Sequence, residues 1–154
     1  MSELYGNPEL ELLDRRVSEW IAGFRERDGV IVAIDRGGPD EHRWYVRMQG
    51  VEKEFTTIWL TLGQRTLKYE TYVMPAPEEN AESLWENLLR RNEKLTGAHF
   101  SIGVEDAVFL RGELPIPSLS EDELDRVIGT LWATVETVFP SIIRIGFASR
   151  FTGN

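Results

Sequence analysis

Residues 56–80 read TTIWLTLGQRTLKYETYVMPAPEEN, and no other run constrains the fold as tightly. Two β-branched and aromatic segments, 55–62 and 66–74, flank a reversal at Gly63-Gln64, the pattern of an antiparallel hairpin. Side chains alternate along a strand, so a slip of one residue turns every one of them to the other side. An even loop places Ile58, Leu60, Leu62, Leu67, Tyr69 and Val73 on one face. An odd loop would put Leu60 beside Lys68 and Glu70, so the even loop is expected. The reverse face then carries Phe55, Thr57, Trp59 and Thr61 beside Lys68, Glu70, Tyr72 and Met74. Pro75 and Pro77 forbid a continuing central strand but suit the start of a helix.

The flanking sequence supplies the other elements. Leu10, Leu13, Val17, Trp20, Ile21 and Phe24 recur at helical spacing, with Pro8 as the first helical residue, Asn7 as its cap and Asp28-Gly29 as its end. VIVAID (30–35) reads as a strand. RWYVRM (43–48) alternates, with Trp44, Val46 and Met48 opposing Arg43, Tyr45 and Arg47. A second helix follows the prolines, with Leu84, Trp85, Leu88, Leu89 and Leu95 as its stripe, Glu86 and Arg90 as a favourable pair and Gly97 as its close. AHFSI (98–102) and AVFLRGEL (107–114) read as strands reversing through GVED. Ser120 and Glu123 have capping-box spacing for a third helix, whose stripe is Leu124, Val127, Ile128, Leu131, Val135 and Val138 and which Pro140 stops or kinks. Lone helices between runs of antiparallel strands give an α+β fold: a twisted antiparallel sheet of five or six strands with three helices, in one domain spanning 1–154.

Chemistry is harder to find. The chain has no cysteine, which removes disulfides and thiolate metal sites and suits the cytoplasm. Its net charge of −9 disfavours nucleic acid and anionic membrane surfaces, and no apolar run approaches a membrane span. The start of the chain does not read as a secretory signal. Glycine-rich phosphate loops and nucleophile elbows are missing. His99 with Glu105 and Asp106 could be drawn as metal ligands across a hairpin, but a solvent-facing histidine and an acidic turn explain them better. The carboxylate pairs Glu52/Glu54, Glu78/Glu79 and Glu105/Asp106 fall in turns or helix starts, where acidic residues are expected anyway. No catalytic residue, metal or cofactor is therefore expected.

Aromatic residues give the stronger signal. Trp59 alternates with Thr57 and Thr61, and Phe55, Trp59, Tyr72 and Met74 gather on the face away from the core. A covering helix would make that face core; an uncovered one would make it a partner or dimer surface, since aromatics and Met are enriched at interfaces. Trp85 widens the apolar face of the second helix and joins this candidate set.

TIWLTLGQRTLKYETYVMPAPEEN, LLRRNEKL and FSIGVEDAVFLRGELP together resemble the YbjN family, in a form associated with actinobacteria. That resemblance implies a type III secretion chaperone-like fold, often homodimeric, and carries no catalytic residues to map. Secretion chaperones are small and acidic and bind unfolded segments along apolar patches, although a fold does not transfer an activity. The expectation is a non-enzymatic protein-binding module, a chaperone-like or regulatory adaptor, cytoplasmic and homodimeric, with no nucleic-acid or membrane partner. The alternatives are a small-ligand-sensing regulator and, with little support, a carboxylate-dependent hydrolase.

Overall fold

A computed structural model describes residues 4–151. Its elements run α1 (Asn7–Arg27), β1 (Ile31–Arg36), β2 (Arg43–Gln49), β3 (Phe55–Leu62), β4 (Thr66–Met74), α2 (Ala81–Asn92), β5 (His99–Ile102), β6 (Val108–Pro115) and α3 (Glu121–Gly146). The six strands form one antiparallel sheet in the order β1-β2-β3-β4-β6-β5.

The hairpin parity holds. Leu60 pairs with Tyr69 and Leu62 with Leu67, which leaves an even loop whose turn sits at Gln64-Arg65, one residue beyond the expected reversal. Ile58, Leu60, Leu62, Leu67, Tyr69 and Val73 are all buried. All three α-helices pack on this one face, in a single core that also takes Trp44, Val46 and Met48 from β2 and Phe100 and Leu110 from the β5–β6 pair. α3 lies over β3 and β4, α1 over β1, and α2 beside β5. Each helix buries an apolar stripe there, as amphipathic spacing requires: Val17, Ile21 and Phe24 from α1, Leu84 and Leu88 from α2, and every predicted stripe residue of α3.

Several boundaries differ from expectation. The α1 cap is Gly6, without a side-chain bond; Asn7 is already helical and Pro8 sits in the first turn. α2 ends at Asn92 rather than near Gly97, so Leu95 packs from the turn beyond it. Leu89 is 69% exposed and does not join the buried stripe. Ser120 caps α3 as expected, accepting from the Glu123 amide at 3.1 Å. Pro140, however, does not stop that helix, which continues to Gly146 because Ile142 and Gly146 are still buried. The proline-rich segment before α2 secures the far end: the Glu78 and Glu79 amides donate to the Gly146 carbonyl, and Asn80 donates to that of Ile145 at 2.9 Å. Carbonyls that a helix C-terminus leaves unpaired are thereby satisfied.

Met74 is the clearest correction. It was expected on the reverse face of β4, but it is fully buried. Pairing between β4 and β6 shifts register between Tyr72 and Met74, and this irregularity breaks the alternation. Val73 and Met74 are consequently both buried, and Met74 reaches the C-terminal end of α3 beside Gly146.

Candidate functional site

The sheet has one covered face and one open face, and the open face is where the aromatic residues collect. Cross-strand partners share a side of the sheet. Tyr45 pairs with Trp59, Arg47 with Thr57, Glu70 with Arg111 and Tyr72 with Phe109, all on the side away from the helices. The rings are organised as two edge-to-face pairs: Tyr45–Trp59 at 5.8 Å and Tyr72–Phe109 at 5.7 Å between centroids. Cations lie on the rings. The Arg47 guanidinium sits 3.9 Å from the Phe55 centroid, that of Arg111 4.4 Å from Phe109, and the Lys53 ammonium 5.6 Å from Tyr72. Arg111 also bonds Glu70 at 2.9 Å, and Arg43 donates to Thr61 Oγ1 at 3.1 Å.

Lys53 reaches this face from the loop between β2 and β3. Its Nζ donates to the Tyr72 carbonyl at 2.8 Å, and burial lowers its pKa from 10.5 to about 8. Glu136 of α3 holds that loop in place, accepting from the amides of Glu52 at 3.2 Å and Lys53 at 3.0 Å and from that of Val51. Gly50 is required there, because a Cβ would stand 2.2 Å from the Lys53 carbonyl oxygen.

A second apolar surface lies at the sheet edge. Trp85, Leu88 and Leu89 of α2 and Phe100 and Ile102 of β5 line a hollow of ≈ 220 Å³. Leu89 and Ile102 are exposed, at 69% and 51%. The edge strand itself is partly closed. Asn92 at the end of α2 accepts from the Phe100 amide at 2.6 Å and donates to its carbonyl at 3.1 Å, taking the place of a paired strand at that residue.

The remaining polar clusters read as structural. Asp14 bonds both Arg36, through two contacts of 2.9 and 2.6 Å, and His42 at 2.7 Å. Desolvation raises the Asp14 pKa, but the bonds from Arg36 and His42 outweigh it and hold the carboxyl below its usual 3.8. Ser18 Oγ accepts from Trp44 at 3.0 Å and Arg36 at 3.1 Å, so the cluster ties α1 to the β1–β2 hairpin rather than aligning a nucleophile with His42. Among the described residues, no group of three or more His, Asp or Glu side chains could hold a metal ion, so His99, Glu105 and Asp106 do not assemble as one.

Of the five candidate residues, Phe55, Trp59 and Tyr72 share the open face, Trp85 borders the α2–β5 hollow, and Met74 belongs to the core. The sequence reading missed Tyr45, Arg47, Lys53, Phe109 and Arg111. For Tyr45 and Arg47 the signal was available: they oppose Trp44, Val46 and Met48 on their own strand, and so face the same way as Phe55 and Trp59 once β2 pairs with β3.

Comparison with known proteins agrees with the architecture. The structure resembles a chain of the heterodimeric ExoU–SpcU complex from the type III secretion system of Pseudomonas aeruginosa, with a TM-score of 0.55 and 14% identity over 79% of this chain and 93% of that one. It also resembles a chain of the ExsC–ExsE complex, with a TM-score of 0.59 and 18% identity over 84% of this chain and 96% of that one. At such identities the likeness establishes the fold, a type III secretion chaperone-like α+β domain. In sequence, the chain is 30% identical over 104 residues to the uncharacterized protein Rv0487 of Mycobacterium tuberculosis (strain ATCC 25618 / H37Rv), covering 68% of this chain and 57% of that protein. The uncharacterized protein ML2442 of Mycobacterium leprae (strain TN) is 30% identical over 107 residues, covering 70% and 58%. The chain thus spans a little over half the length of these relatives. Residues 16–144 match the model of the family YbjN, described as "Putative bacterial sensory transduction regulator", and the chain belongs to that family.

Proposed function

We propose that the protein is a non-enzymatic, chaperone-like adaptor that binds polypeptide and pairs with a second copy of itself through α2. One observation carries this reading: all three α-helices crowd onto one side of the sheet and leave the other free of helices, with Tyr72 exposed there, Tyr45, Phe55 and Trp59 half-buried, and Phe109 buried against the Gly103 turn. A sheet that needed only to be stable would lose little by carrying short polar residues there, whereas Tyr, Trp, Phe and Arg are the residues that interfaces enrich. The resembling structures are, by their titles, complexes between two proteins. The family's description as a "Putative bacterial sensory transduction regulator" supports a regulatory role for the adaptor. Among the described residues no helix is long and apolar enough to cross a membrane. The cytoplasmic location belongs to the same proposal and is supported by a sequence without cysteine, which suits a reducing compartment.

The homodimer uses the α2–β5 surface. Acidic Glu82 and Glu86 lie toward the start of α2, basic Arg90 and Arg91 lie in its last turn, and acidic Glu93 and basic Lys94 follow just beyond it. Antiparallel packing on a two-fold axis near Leu88 sets the acidic half of one helix against the basic half of the other, with Trp85 and Leu89 between. A contact of this kind is self-complementary, as a two-fold interface must be.

Affinity capture from the native host with mass spectrometry tests the function. The reading predicts an enriched polypeptide, lost when Trp59 is changed to Glu in a protein that still folds. A co-purifying metabolite with no polypeptide would instead favour a ligand-sensing regulator, and turnover in a hydrolase screen, abolished by Glu105→Gln or His99→Ala, would overturn the non-enzymatic reading.

A further inference from the structure

We propose that the open sheet face recognises an acidic polypeptide segment, a deepening that rests on the reading of the protein as a protein-binding module. The chain carries 26 acidic and 17 basic residues, yet this face has the opposite balance. Across β2, β3 and β4 it presents Arg43, Arg47 and Lys68, joined by Lys53 from the adjoining loop, against one carboxylate, Glu70. Glu70 is already engaged by Arg111 at 2.9 Å. Asp35 and Glu113 also stand on this face, opposite Tyr45 and Lys68, and with Arg111 counted it carries five basic residues against three acidic. Among the described residues neither Arg47 nor Lys68 forms an ion pair, although Glu113 stands opposite Lys68, and both are exposed. A net-positive strip on a chain of net charge −9 is complementary to carboxylates rather than to more of the same positive charge.

The geometry separates a peptide from a nucleic acid. Single-stranded nucleic acid is held by bases stacked on free ring faces. Here three of the rings carry a cation, Arg47 on Phe55, Arg111 on Phe109 and Lys53 over Tyr72, while Trp59 and Tyr45 meet edge-to-face. A guanidinium lying flat on a ring still has N–H groups at its rim, and these suit the two oxygens of a carboxylate. Ring edges and the Thr57 and Thr61 side chains between them then contact the rest of the segment. The negative remainder of the chain repels a long polyanion, while a short segment with a few carboxylates lies within a Debye length of the strip.

The test uses the whole chain and a fluorescent peptide of alternating Glu and Leu, with matched peptides carrying Gln or Lys in place of Glu, and an oligo-dT strand. Binding is read by anisotropy at low and at moderate salt. The Glu peptide is expected to bind most tightly, to weaken with salt, and to weaken about tenfold in the double variant Arg47→Glu/Lys68→Glu. Arg47→Gln/Lys68→Gln gives a milder loss and covers the case in which charge reversal disturbs folding. Arg16→Glu, a charge reversal at an exposed position of α1, leaves the peptide affinity unchanged. Equal binding of the Glu and Gln peptides, or indifference to both double variants, overturns the acidic preference while the protein-binding reading stands. Failure of every peptide to bind overturns both. Tighter binding of oligo-dT than of any peptide overturns the proposal in favour of nucleic acid.

Discussion

At the scale of single residues, one fully buried hydroxyl and one partly buried ammonium mark places where stability has been given up. Thr56 is fully buried on the core side of β3, and its hydroxyl finds no hydrogen-bond partner, whereas the equally buried Thr71 donates to the Thr57 carbonyl at 2.7 Å. Thr56→Val keeps the shape and removes the unsatisfied group, so it is expected to raise stability by about 1 kcal/mol in urea unfolding. Thr71→Val loses a made bond and should be destabilising in the same assay. Lys53 gives a pH signature. Its pKa falls from 10.5 to about 8 on folding, so the folded state disfavours its charge. The penalty is fully present below pH 8 and is relieved as pH rises from about 8 toward 10.5, because the unfolded chain binds the extra proton in that window. Stability of the wild type should therefore rise between pH about 8 and about 9.5, and Lys53→Met should flatten that rise. A wild type whose stability is level or falling there, or a variant with the same slope, would contradict the assignment.

At the scale of elements, α3 organises more than its own stripe. The Glu136 carboxylate receives three successive amides from the 51–53 loop, and Trp132 Nε1 donates to the Gln49 carbonyl at 3.1 Å. Glu136→Ala should speed amide exchange at residues 51–53 and cost about 1–3 kcal/mol, with Glu136→Gln intermediate because it retains one acceptor oxygen. Exchange at those amides unchanged from wild type would show that the loop holds itself. This contact was not legible in the sequence, since it joins residues more than 80 positions apart. The strand pairing of β3 with β4 was legible, because a period of two offers only two registers and one of them mixes Leu60 with Lys68 and Glu70. The burial of Met74 was not, because the β4 irregularity depends on pairing with β6, a strand more than thirty residues away. Pro140 misled for a related reason: its local cost is offset by the burial of Ile142 and Gly146 and by the 78–80 segment that receives the helix end.

At the scale of the whole molecule, one-sided packing is the property on which the proposed function rests. The fold class and the aromatic hairpin face were readable from alternation and helical spacing. What that face faces was not, because periodicity identifies an apolar side without saying whether a helix covers it; the cations laid on its rings come from other strands and from the 50–54 loop. Two surfaces stand ready as a result, the open sheet face and the α2–β5 edge, and a two-fold pairing through the edge leaves the sheet free for a further partner. Trp85 is only partly buried in the single chain, and Leu89 and Ile102 beside it are exposed, and the proposed second copy packs on this edge. Sedimentation equilibrium at micromolar concentration, on the wild type and on Trp85→Glu, tests this directly. The prediction is a dimer for the wild type and a folded monomer for the variant; a strictly monomeric wild type, or a dimer indifferent to Trp85→Glu, would contradict it.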